Sequence, residues 1–71
     1  MDRPMELRHL AQADRHLCEG RLRIERQAAM VEALRARHAD TRAAEALLDM
    51  LQSTLAQWEI HRGMIAEALD S

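Results

Sequence analysis

The chain holds 71 residues, one cysteine and a formal net charge of −2. A chain of that length makes one small domain at most and buries only about 60% of the surface its unfolded form exposes, so its stability is marginal without reinforcement, for which disulfides, a metal and oligomerisation are the usual means. The lone Cys18 excludes an internal disulfide and suits a reducing cytoplasm, while the charge is too small to mark a nucleic-acid or membrane partner.

The first residues, Met1-Asp2-Arg3-Pro4, run into charged and polar positions without the apolar core of a signal peptide. No apolar run approaches the roughly 20 residues that span a bilayer. A cytoplasmic protein is therefore expected. Ala, Leu, Arg, Glu, Gln and Met dominate and Phe and Tyr are absent, which is a helical composition.

Pro4 suits a first helical turn, where its missing N–H costs nothing, and Glu6 complements the positive end of the helix. From Met5 the apolar periodicity runs through Leu10, Ala13, Leu17, Gly20, Ile24, Gln27, Val31 and Leu34. These spacings of three and four predict a first helix over about residues 4–38, about 50 Å long.

A break follows at Arg37-His38-Ala39-Asp40-Thr41. Asp40 and Thr41 are both residues whose side chains can accept a hydrogen bond from the free N–H groups of a second helix. Arg35, Arg37 and His38 stand where cations favour a helix C-terminus. A turn at 39–41 is expected, with one uninterrupted helix as the alternative.

The second helix is expected over about residues 41–69. Ala44, Leu48, Leu51, Leu55, Trp58, Arg62, Ile65 and Leu69 form an unbroken heptad seam, the pattern of a helix laid along another helix. Helix 1 is the partner within the chain, and the fold class expected is an all-α antiparallel hairpin, coiled-coil-like. Antiparallel pairing about residue 40 sets Trp58 level with Gly20, Leu22 and Ile24. Gly20 is then the space that receives Trp58, or else a tolerated surface glycine. Arg62 interrupts the seam. It needs Glu19, Asp14 or a carboxylate of another subunit, or it lays its stem on the apolar surface and carries its head to water.

Helix 1 carries a second stripe: Ala11, Cys18, Leu22, Ala29, Ala33 and Ala36 lie within about 60° on a helical wheel, away from the first seam. Helix 2 has a weaker counterpart in Ala43, Ala46, Met50, Met64 and Ala68. The alanines can reflect helix propensity alone. Leu22, Met50 and Met64 cannot, and a lone hairpin leaves them wet. Dimerisation into a two-fold antiparallel four-helix bundle would cover them, with Ala11, Cys18, Leu22, Ala29, Ala33, Ala36, Met50 and Met64 as the candidate partner interface.

Chemical motifs are sparse. His9 and His16 are two turns, about 10 Å, apart along one helix, too far to share a metal ion, and His16-x-x-Glu19 stands alone, without the further inward glutamates of a di-iron bundle. His61 lies one turn from Trp58 on the seam edge. Cys18 has no His at i±3 or i±4, and Asp14 one turn earlier works against a thiolate. No nucleophile–base constellation, phosphate loop or Cys-x-x-Cys appears. No enzyme activity, cofactor or metal is expected.

Charge is split between the halves: residues 1–39 hold eight Arg against six acids (+2), and residues 40–71 two Arg against six acids (−4), which gives −2 in all. Complementary pairing between the helices accounts for this. A small regulatory nucleic-acid-binding dimer is the alternative, since the architecture resembles small plasmid-encoded RNA-binding hairpin dimers. Against it, Asp14, Glu19, Glu25 and Glu32 interrupt any basic stripe, and helix 1 offers no aromatic residue for base stacking.

The segment His9-Leu10-Ala11-Gln12-Ala13-Asp14-Arg15-His16-Leu17-Cys18-Glu19-Gly20, with Asp40-Thr41 before a Leu-rich second helix, resembles small uncharacterised helical-hairpin proteins of rhizobia and related alphaproteobacteria. The resemblance spans most of the chain. It implies a helical hairpin and carries no functional residue, and Cys18 and Ala39 depart from its pattern. The expectation is a non-enzymatic interaction module that self-associates as a homodimer or docks on the helices of another protein.

Overall fold

The two seams meet. A computed structural model describes residues 3–70, which form α1 (Arg3–Ala36) and α2 (Arg42–Asp70), packed antiparallel as a two-helix hairpin. Ala13, Leu17, Val31 and Ile65 are buried between the helices. Leu10, Gly20, Ile24, Gln27 and Leu34 of α1 are half-buried, as are Ala44, Leu48, Leu51, Leu55, Trp58, Arg62 and Leu69 of α2. The polar seam residue Gln27 is accommodated because its Nε2 donates to the Ala44 carbonyl at 2.9 Å. At the open end Arg3 Nη1 donates to the Leu69 carbonyl at 3.1 Å, serving one of the carbonyls that a helix C-terminus leaves without an intrahelical donor.

The reversal lies earlier than the expected 39–41. α1 stops at Ala36 because His38 takes φ 57°, a left-handed conformation that breaks the helix. The His38 N–H then donates to the Arg35 carbonyl at 3.0 Å and the Ala39 N–H to the Leu34 carbonyl at 2.9 Å, the paired bonds of a Schellman cap. On the far side, Asp40 Oδ1 accepts from the Arg42 N–H at 3.0 Å, and the Thr41 carbonyl accepts α2's first bond from the Glu45 N–H at 2.8 Å. Arg35, in the last turn of α1, pairs with both Glu32 and Glu45, the latter in the first turn of α2. Cation and anion each sit at the helix end whose dipole favours them.

The product is a rod of 54 × 14 × 13 Å. Its radius of gyration is 16.3 Å, against about 11 Å for a globular domain of this length. Among the described residues no helix is long and apolar enough to cross a membrane.

Candidate interaction surface

A hairpin has two flanks, one on each side of the plane through its helices. On a projection at about 100° per residue, Asp14, Arg21, Glu32 and Arg35 turn to one flank of α1, and Glu45 and Glu59 turn to the same flank of α2. Among the described residues, three cross-helix ion pairs run along that flank or border it. They are Arg62 Nε to Asp14 Oδ1 at 2.6 Å, Arg21 to Glu59 at 3.7 Å, and Arg35 to Glu45. Of the partners considered for Arg62, Asp14 is the one it takes. Both side chains remain open to solvent, 40% and 52% exposed, so Arg62 keeps one side in water while it fills its seam position.

The charged flank holds a cleft over Val31 and Leu48 between Glu32, Arg35, Glu45 and Asp49, and the opposite flank holds a continuous run of them. Three clefts follow one another along it. The first lies between Met30 of α1 and Leu47 of α2, the second beside Gly20 and Trp58, and the third around Gln57, Trp58 and His61. The first two share Arg23 and Leu51, and the last two share Trp58, so they form one groove. Met30 (55% exposed), Leu47 (44%) and Met50 (64%) stand open on or beside it.

Trp58 organises the groove's far end. Its ring meets the edge of His16 with centroids 4.4 Å apart and an interplanar angle of 78°, and meets His61 at 5.7 Å and 75°. His16 Nδ1 is enclosed without a hydrogen-bond partner among the described residues. The expected pairing of Trp58 with Gly20 is corrected here. A Cβ on Gly20 would meet Leu55 Cδ1 at 3.1 Å, so the space that Gly20 leaves is taken by Leu55, and Trp58 lies one turn further along, level with His16. The cause is the early reversal: pairing counted about residue 40 slips when the chain turns at His38.

The eight residues of the candidate partner interface, Ala11, Cys18, Leu22, Ala29, Ala33, Ala36, Met50 and Met64, are all exposed. The six on α1 occupy its back, turned away from α2. Met50 lies toward the groove flank, and Met64 falls between that flank and the back of α2. Sequence reasoning missed Met30 and Leu47. Their signal was their position, since each immediately precedes a seam residue, Val31 and Leu48, and so flanks the seam.

Among the described residues no group of three or more His, Cys, Asp or Glu is placed to hold a metal ion. Cys18 is a free, exposed thiol. The groove offers contact area with His16, Glu19, Arg23 and Thr54 among its polar lining. No family model, curated protein or solved structure matches the chain.

Proposed function

We propose that the hairpin is a non-enzymatic assembly module whose working form is a homodimer, two hairpins associated as an antiparallel four-helix bundle. One observation carries the reading: among the described residues the hairpin encloses only Ala13, Leu17, Val31 and Ile65, while Leu22, Met30, Leu47, Met50, Ile60 and Met64 remain exposed. A chain of this size is marginally stable by itself, and association is one of the usual ways in which it gains an adequate core. A second helical layer would convert the wet apolar surface into a bundle interior, with heptad spacing suited to such packing. The free thiol of Cys18 and the absence of any disulfide fit a cytoplasmic setting.

Light scattering coupled to size exclusion tests the reading. A mass of twice the 8.1 kDa chain is expected at tens of micromolar, on the order of ordinary dimer affinities. A monomer under those conditions would displace the homodimer in favour of a different protein as partner. Salt-sensitive retardation of a nucleic acid at low ionic strength would point instead to the binding of a polyanion.

A further inference from the structure

We infer that the groove flank, and not the back of α1, is the dimer surface, and that its occupant is the same groove of a second copy related by a two-fold axis crossing the hairpin at Gly20 and Leu55. The inference rests on the self-assembly reading above and adds which surface and which orientation.

Three features support it. Ion pairing is concentrated on one flank, where a cleft over Val31 and Leu48 is walled by Glu32, Arg35, Glu45 and Asp49, and the continuous groove over Leu51, Leu55 and Trp58 lies on the other. A flank bearing Asp14, Arg21, Glu32, Arg35, Glu45 and Glu59 is costly to desolvate, whereas the Leu51, Leu55 and Trp58 floor gains from losing water.

The area also fits. The hairpin exposes 5458 Å², against about 4,500 Å² for a folded monomer of this mass by the usual surface scaling. The surplus of about 1,000 Å² is close to the roughly 800 Å² that each partner buries in a standard interface. The back of α1 offers one large apolar residue, Leu22, among small ones. The groove offers Met30 and Leu47 over a floor of Leu51, Leu55 and Trp58.

The third feature is self-complementarity. Gly20 and Leu55 lie near the midpoints of Arg3–Ala36 and Arg42–Asp70, and the groove extends to both sides of them. A two-fold axis across the rod at that level runs α1 against the other copy's α1 in the opposite direction and puts the two turns at opposite ends. Glu19 and Arg23, one turn apart on the groove's rim, then meet across the axis: each copy's Arg23 faces the other's Glu19. Trp58 of each copy comes level with the Leu51–Thr54 stretch of the other, where a second layer shields its ring.

The test uses the full chain. Trp58 is the only tryptophan and lines the groove, so its emission reports on this surface. Under the inference, scattering gives the dimer mass, and Trp58 emission shifts to longer wavelength as the protein is diluted through dissociation. Leu47→Glu gives a monomer that keeps its helical circular dichroism, while Leu22→Glu on the back of α1 stays dimeric. Arg23→Glu and Glu19→Arg each weaken the dimer by at least roughly tenfold, the scale of one lost interfacial ion pair, and the double reversal restores it. A dimer that survives Leu47→Glu but not Leu22→Glu, or whose Trp58 emission is indifferent to dilution, overturns the groove as the surface and leaves the assembly reading standing. Loss of dimer in both single reversals without rescue in the double overturns the two-fold arrangement. If Leu47→Glu loses helicity, the dilution series on the unaltered chain decides. A wild-type monomer overturns the assembly reading and this inference together.

Discussion

Arg62 Nε donates to Asp14 Oδ1 at 2.6 Å across the hairpin and thereby fills the one charged position in α2's seam. The pair is 40% and 52% exposed, which places it with surface ion pairs worth at most about 1 kcal/mol. Its neighbours along the seam, Trp58 and Ile65, are apolar.

Arg62→Leu should therefore stabilise the hairpin. Completing the apolar stripe outweighs an exposed pair, and Asp14 left alone stays hydrated. A gain of about 1 kcal/mol corresponds to about 4–8 °C in a domain of this size. Thermal unfolding followed by circular dichroism checks it, and a lowered midpoint would show the pair to be structural. Asp14→Ala should cost little, and the cost should shrink in high salt.

His38→Gly should raise stability by about 1 kcal/mol, since an L side chain at φ 57° carries a left-handed penalty that glycine does not. The Schellman bonds of His38 and Ala39 are backbone bonds and survive the change. His38→Val should go the other way, because a β-branched side chain suits that conformation least. Equal midpoints for the glycine and valine variants would mean that the cap does not hold in solution.

The hairpin could be read from Leu10, Leu17, Ile24 and Val31 against Leu48, Leu51, Leu55 and Ile65, because a three–four spacing has one physical use. The end of α1 could not. A glycine at a helix end announces the left-handed cap, whereas His38 gives no such sign, and the two-residue error at Ala36 carried the expected register one turn off at Trp58. The groove was hidden for a related reason. Met30 and Leu47 flank the seam, and only the packed hairpin decides that these two flanks adjoin while the charged flanks of Arg35 and Glu45 pair on the other side. The stripe on the back of α1 could be read from periodicity, but periodicity cannot rank one exposed face against another.

Gly20 separates helix propensity from packing. A Cβ there would sit 3.1 Å from Leu55 Cδ1, the mobile end of a half-buried side chain bordering the open groove. Leu55 can yield by the few tenths of an ångström required, so Gly20→Ala should keep most of the roughly 1 kcal/mol that alanine gains over glycine in a helix. Gly20→Leu exceeds what Leu55 can yield and should destabilise by about 1–3 kcal/mol. Two thermal midpoints, one above and one below that of the natural chain, are the expected result. A leucine variant as stable as the alanine one would show that Gly20 faces open solvent.

Asp40 makes the turn sensitive to acid. The Arg42 guanidinium, bonded to its carboxylate at 2.8–3.2 Å, and secondly the Arg42 N–H hold the Asp40 pKa below the ordinary aspartate range. A depressed carboxylate contributes stability that is fully present above its unfolded pKa and is lost as the pH falls through the folded one. Asp40→Asn keeps an oxygen for the Arg42 N–H but discards the charge. Its midpoint should lie below that of the natural chain at neutral pH, and the two curves should converge as the pH falls below about 4, the ordinary aspartate value. Curves that stay parallel over that range would mean that the Arg42 contact contributes nothing in solution and that Asp40 serves the turn only through its hydrogen bond to the backbone.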